Sequence, residues 1–157
     1  MSKKTNALRL LDALKIPYET VDYQYDADDL SVEHIAEDNG LHLERIFKTL
    51  VAKGDKNGIA VAVVPGDKTL NFKALAKASG NKKMTLIPVK DIQAFTGYIR
   101  GGCSPIGMKK DYPVYLDTSA LAYDVIYVNA GQRGLLAGLS PQALKQAAAA
   151  EVAEIAS

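Results

Sequence analysis

The chain opens on a helical rhythm. Ala7, Leu8, Leu10, Leu11 and Leu14 recur at the three- and four-residue spacing that lays an apolar stripe along a helix, and Pro17 ends the run. Over residues 16–25 the pattern changes: Tyr18, Tyr23 and Tyr25 stand among other β-formers and predict a strand leading into the acidic turn 26–29. Ser31 is placed to cap a helix over 32–39, with Ile35 and Ala36 inward and Gly40 as the stop.

Residues 45–52 and 59–64 are β-rich runs joined by 53–58, whose glycines and asparagine suit a hairpin loop. Asn71 then caps a helix over 72–79 that Gly80 closes, 84–87 forms a short strand, and 89–95 a short helix. Residues 98–107 hold three glycines and Pro105 and predict a shaped loop. Strands are expected at 114–116 and 125–128, the second connected through 130–134 to Leu135 and Leu136. Ser140 caps a last helix, with Pro141 at its first position and an alanine-rich stretch that carries it to the end of the chain. This mixture of strands and capped helices gives an α+β class, and 157 residues without a linker or repeat predict one domain over 1–157.

Composition narrows the class. Apolar residues make up 48% and charged residues 24%, the balance of a soluble globular protein. No apolar run approaches the length needed to cross a bilayer, and the start, residues 1–5, is polar with no apolar stretch behind it, so a cytoplasmic protein is expected. A single cysteine, Cys103, excludes an intramolecular disulfide and fits a reducing compartment. The net charge of +1 implies no long electropositive surface, so any nucleic-acid contact must rest on a local patch.

The candidate chemistry is sparse. No metal-ligand spacing, phosphate-binding glycine loop, dinucleotide fingerprint or serine elbow is present; no metal and no cofactor is called for. His34 and His42 read as solvated surface residues, and Cys103 as a small side chain packed under the glycine loop. Lys48, in Phe47-Lys48-Thr49, sits in an otherwise apolar strand, where a lysine either points outward or holds an anion; taken alone, the outward position is the commoner arrangement. Gly101 and Gly102, followed by Ser104 and Pro105, form either a plain turn or a surface that presents backbone N–H groups to an oxyanion or phosphate.

These segments, taken together, resemble the bacterial Cys-tRNA(Pro) deacylase family, YbaK, and more distantly the editing domain inserted in bacterial prolyl-tRNA synthetases. The resemblance rests on Phe47-Lys48-Thr49-Leu50, the helix from Lys73 to Gly80 followed by Lys82-Lys83, the run from Thr96-Gly97-Tyr98 through Gly101-Gly102-Cys103-Ser104-Pro105 to Gly107 with Lys109-Lys110, and Ile126-Tyr127-Val128 ahead of Gly131-Gln132-Arg133-Gly134. It implies a twisted, barrel-like mixed sheet flanked by helices, and a cleft for the aminoacylated 3′ end of tRNA.

Within that cleft the resemblance places Lys48 as the cation, Gly101 and Gly102 as backbone donors, and Tyr23, Tyr98 and Asn129 against the substrate. Asn129 departs from the serine common in the family, and no aromatic stands near Ser31 where the family has one. Lys82, Lys83, Lys109, Lys110 and Arg133 would meet acceptor-stem phosphates. The implied partners are aminoacyl-tRNA, tRNA(Pro) or tRNA(Cys), and prolyl-tRNA synthetase. The implied reaction is attack of the substrate's own cysteine thiol on its ester carbonyl. Water-mediated hydrolysis of Ala-tRNA(Pro) and a non-catalytic tRNA- or protein-binding module are the alternatives.

Overall fold

The structure, a computed structural model, describes residues 4–157; Met1, Ser2 and Lys3 of the polar start lie outside the described residues. The chain runs α1 (Asn6–Ala13), β1 (Glu19–Asp22), α2 (Val32–Asn39), β2 (Phe47–Gly54), β3 (Ile59–Pro65), α3 (Phe72–Ser79), β4 (Met84–Leu86), α4 (Ile92–Thr96), β5 (Val114–Asp117), β6 (Ile126–Asn129), β7 (Leu135–Leu139), α5 (Pro141–Ala148) and β8 (Ala150–Ala153). Each expected cap forms: the Ser31, Asn71 and Ser140 side chains accept from the N–H of His34, Ala74 and Ala143. The strand expected over 16–25 is shorter, because only Glu19–Asp22 finds a partner, in β7.

One sheet has the order β1-β7-β6 and the other β4-β2-β3-β5-β8. β2 and β3 form the predicted hairpin, in register from Phe47 opposite Pro65 to Lys53 opposite Ile59. β3 carries a continuous apolar run because both its faces are covered. Val61 and Val63 pack with Phe47, Leu116, Ile126 and Leu11 on one side; Ala60, Ala62 and Val64 pack with Leu75 and Ile155 on the other.

An isolated bridge between Ile46 and Tyr127 joins the sheets, which do not close into the barrel-like form expected. Arg45 bolts this junction: its Nε and Nη2 donate to Val125 C=O at 3.1 and 2.9 Å, with the guanidinium 5.5 Å from the Tyr127 ring centre.

The last helix is corrected. It does not continue to the terminus but stops at Ala148, after which Ala149 turns the chain at φ 51° into β8, parallel to β5. Alanine's helix propensity loses to tertiary pairing here, since β8 completes the sheet and leads to Ile155 and Ala156, whose N–H groups donate to the buried Asp117 carboxylate at 2.9 and 3.0 Å.

Candidate functional site

The site follows from an interruption in β2. Along one edge this strand is paired with β3 throughout; along the other it bridges β6 only at Ile46 and pairs with β4 only from Ala52, with Ile87 N–H donating to Val51 C=O at 3.0 Å. Between those points the second edge has no strand partner among the described residues. Residues 98–107 lie across the opening.

A cavity of about 160 Å³ occupies it, bordered by Lys48 and Thr49 of β2, Tyr23, Asn129, Gly101 and Cys103. Its outer wall is aliphatic, with Leu30, Val32 and Ile35 where the resemblance implied an aromatic near Ser31. A second cavity of about 240 Å³ continues along β2 past Thr49, Gly101 and Cys103 towards Leu86, Val89 and Arg100. Thr49 Oγ1, in the shared wall, is buried without a hydrogen-bond partner. Burying a hydroxyl unpaired costs free energy, so it marks a position where a ligand atom gains from binding.

Of the residues singled out in the sequence, Lys48, Tyr23, Gly101 and Asn129 meet at the first cavity. Tyr98 does not line it. Its ring is buried and its hydroxyl donates to Ile106 C=O at 2.7 Å, with Gly107 C=O at 3.2 Å, so it pins the loop to itself. Gly102 is also turned to structure: its N–H donates to Ile99 C=O at 2.9 Å. A Cβ on Gly102 would stand 3.0 Å from Gln132 Cα, so the missing side chain is what lets the two loops touch. Gly101 is the remaining glycine donor, its N–H having no acceptor among the described residues. Its φ of +82° favours glycine.

The lysines proposed for RNA are dispersed. Lys82 and Lys83 donate backbone N–H groups to Asp55, just past the hairpin end of β2 and seven residues beyond Lys48, so roughly 23 Å along the strand direction. Lys109 reaches Ala94 C=O at 3.3 Å, and Lys110 borders a separate cavity beside Leu10 and Ala147. Arg133 lies beside Gly101, its Nε donating to Arg100 C=O at 2.9 Å, without lining the cavity.

Electrostatics separate the titratable groups. Burial pushes the Cys103 thiol up to about 11, so it is a protonated packing group rather than a thiolate. Burial, with Cys103 close by, pushes Tyr98 up to about 12. Burial also raises Tyr23, against which hydrogen bonds from Gly134 and Asn129 and the Arg133 charge act in the other direction. His34 pairs with Asp38 at 2.9 Å on α2, outside the cavity.

Thr49, Leu30, Val32, Ile35 and Leu136 are cavity residues that the sequence pattern did not single out. Thr49 was within reach, being next to Lys48 in the same motif; the aliphatic residues carry no signal distinguishing a cavity wall from a core.

The chain is thus a mixed α/β domain with a largely apolar cavity at a strand's free edge, bordered by a lysine, a tyrosine and an asparagine and covered by a glycine loop. The aminoacyl-tRNA editing domain model matches residues 27–147, and the chain belongs to that family.

It is 50% identical over 153 residues to "Putative Cys-tRNA(Pro)/Cys-tRNA(Cys) deacylase EbsC" of Enterococcus faecalis, covering 98% of this chain and 93% of that one. It is 32% identical over 91 residues, 58% of this chain, to a proline–tRNA ligase of Thermosipho africanus, of which the match spans 16%. Among solved structures, "hypothetical protein APE2540" matches at a TM-score of 0.86 and 25% identity, covering 97% of this chain and 99% of that one. "A putative trans-editing enzyme for prolyl tRNA synthetase" matches in fold at 0.81 and 24% identity, over 99% of each chain. No helix among the described residues is long and apolar enough to cross a membrane.

Proposed function

We propose that this protein removes cysteine from Cys-tRNA(Pro), with the substrate's own thiol as nucleophile. The observation that carries the reading is the make-up of the cavity: a lysine, a tyrosine, an asparagine and a glycine N–H converge there, while the cavity's own thiol, Cys103, is held protonated. A site with positioning groups and no ready nucleophile suits a reaction whose nucleophile arrives with the substrate. The 50% identity to a relative named for Cys-tRNA(Pro) and Cys-tRNA(Cys) supports the same substrates.

In the reaction the cysteinyl sulfur, as thiolate, attacks the ester carbonyl carbon. The carbon–sulfur bond forms, the carbon–oxygen bond to the terminal ribose breaks, and the ribose oxygen leaves as a hydroxyl after taking up a proton. The products are uncharged tRNA and a cyclic thiolactone. A free thiol ionises at about 8.5, so the Lys48 ammonium beside it raises the thiolate fraction at neutral pH. The Gly101 N–H stabilises charge developing on the carbonyl oxygen, an interaction realised chiefly in the transition state. Holding thiol and ester together removes much of the entropic barrier.

The chemistry supplies a discrimination that size does not. A methylene's difference in a pocket is worth only about 1–3 kcal/mol, so a synthetase that must accept proline admits some cysteine. Attack by a thiol spares Pro-tRNA(Pro), which has none. Prolyl-tRNA synthetase, as the source of the mischarged tRNA, is the partner that fits, and phosphate contacts by Arg133, with Lys82, Lys83, Lys109 and Lys110 further out, would hold the acceptor stem. The test is deacylation of Cys-tRNA(Pro), Cys-tRNA(Cys), Ala-tRNA(Pro) and Pro-tRNA(Pro) side by side. Loss of cysteine from the first two, with thiolactone as initial product, is expected. Equal cleavage of Ala-tRNA(Pro) would replace this reading by water-mediated hydrolysis, and intact Cys-tRNA bound without turnover would leave a binding module.

A further inference from the structure

Asn129 has a hydrogen-bond set whose direction is fixed. Its Oδ1 lies 2.7 Å from the N–H of Gly131, and a backbone N–H can only donate, so the amide's orientation follows. Nδ2 then faces Gly101 C=O at 2.8 Å and Tyr23 Oη at 3.3 Å, with one proton for each. Tyr23 oxygen is therefore an acceptor at this contact, and its own proton is left over. It has no acceptor among the described residues, although Tyr23 borders the cavity.

We infer that Asn129 is a positioning residue that turns the Tyr23 hydroxyl proton into the cleft, where it donates to an oxygen of the aminoacyl ester; this rests on the deacylase reading above. The same side chain ties β1's exit, the Gly101 loop and the Gly131 turn together. The serine expected here from the resemblance has one proton and could hold only one of the two oxygens. Asparagine holds both, so both the tyrosine proton and the Gly101 peptide are oriented by one group. No proton is transferred in this role.

The experiment has one arm that needs no substrate. Tyrosine labelled with ¹³C at Cζ is titrated by NMR in the wild type and in Asn129→Asp, with Tyr23→Phe identifying the signal. A carboxylate can only accept, so it reverses the bond, claims the Tyr23 proton and moves the ionisation of Tyr23 to higher pH. Tyr25, Arg133, Lys48 and Cys103, the other titratable groups around Tyr23, are the same in both proteins. An unchanged Tyr23 titration would overturn the assigned proton direction. If Asn129→Asp does not fold, Asn129→Ala serves, because loss of the N–H donor also shifts the titration upward.

The second arm is single-turnover deacylation of Cys-tRNA(Pro). Asn129→Asp and Tyr23→Phe should each slow it about tenfold, and the double variant should be within about twofold of Tyr23→Phe alone, since both remove one interaction. Multiplying losses, or full activity in Tyr23→Phe, would overturn the role in the cleft. A wild type with no deacylase activity but the expected titration would sink the deacylase reading while leaving the proton direction standing.

Discussion

Tyr23 and Tyr98 are each 6% exposed and each was expected against the substrate, yet the fold uses them differently. Tyr98 ends on the carbonyls of Ile106 and Gly107, within its own loop; Tyr23 ends on an asparagine amide at the border of the cavity, with its proton uncommitted. Burial alone does not separate a wall from a working group. The useful question is where each polar end is satisfied: an end consumed by backbone holds structure, and an end left over at a cavity is available to a ligand. By that criterion the proposed reactive side of the opening is the β2 edge with Tyr23, Asn129 and the Gly101 N–H, and the rest of 98–107 is the frame around it.

The largest effect that would break this contrast lies on the β2 side. Lys48→Ala should fold normally and lose roughly a hundred- to a thousandfold in single-turnover deacylation of Cys-tRNA(Pro), the usual loss when one charge-stabilising group goes. Its thermal melt should move little, since trimming a partly exposed lysine typically changes stability by under about 0.5 kcal/mol. Near-normal turnover would return Lys48 to the role of a solvated strand lysine and remove the cavity from consideration.

The frame should show the opposite signature. Tyr98→Phe leaves the Ile106 carbonyl without its donor and should cost about 1–3 kcal/mol of stability, a fall in Tm of roughly 2–4 °C per kcal/mol for a domain of this length. Tyr23→Phe, which removes only the 3.3 Å acceptor of Asn129, should melt closer to the wild type and slow deacylation about tenfold. Equal melts for the two variants would erase the distinction between frame and reactive side.

A smaller effect sharpens the contrast between cleft and periphery. Arg133→Glu, beside Gly101, should weaken tRNA binding and flatten its dependence on salt, by about 0.9 in log–log slope for each phosphate that is no longer neutralised. Lys82→Glu with Lys83→Glu, at the far end of β2, should change that slope less. A larger change from the distant pair would move the RNA path from the cleft mouth to the hairpin end.

The sequence was most informative where a local signal decides the structure. The caps at Ser31, Asn71 and Ser140 and the 53–58 hairpin loop depend on neighbouring residues and were legible. The stop of α5 at Ala148 was not, because β5, the partner of β8, is more than thirty residues away. The site divides in the same way. Phe47-Lys48-Thr49 and Gly101-Gly102 stand out by composition, but which glycine N–H is spent within the loop and which tyrosine faces the cavity depend on bonds that close only in three dimensions. Asn129 shows the point: a departure from serine looks like a loss in one dimension and is a three-way bracket in space.

The smallest expected effect concerns Cys103, which borders both cavities but belongs with the frame. Cys103→Ala should keep deacylation within about threefold of wild type, because the thiol is held protonated by burial and the nucleophile comes from the substrate; a hundredfold loss with folding intact would make Cys103 catalytic. Chemistry gives an independent check. Alkylation by iodoacetamide needs thiolate, and with the native thiol pushed up to about 11 against an ordinary value of about 8.5, labelling at pH 8 should be about two orders of magnitude slower in the folded protein than in the unfolded one. The folded state binds this proton more tightly, so the contribution to stability is fully present below about 8.5 and is lost as pH rises towards about 11. Denaturant midpoints should therefore fall across that window in the wild type and fall less in Cys103→Ala. Rapid labelling at neutral pH would show a reactive thiolate facing the substrate, and the frame would then contain the nucleophile that the cleft lacks.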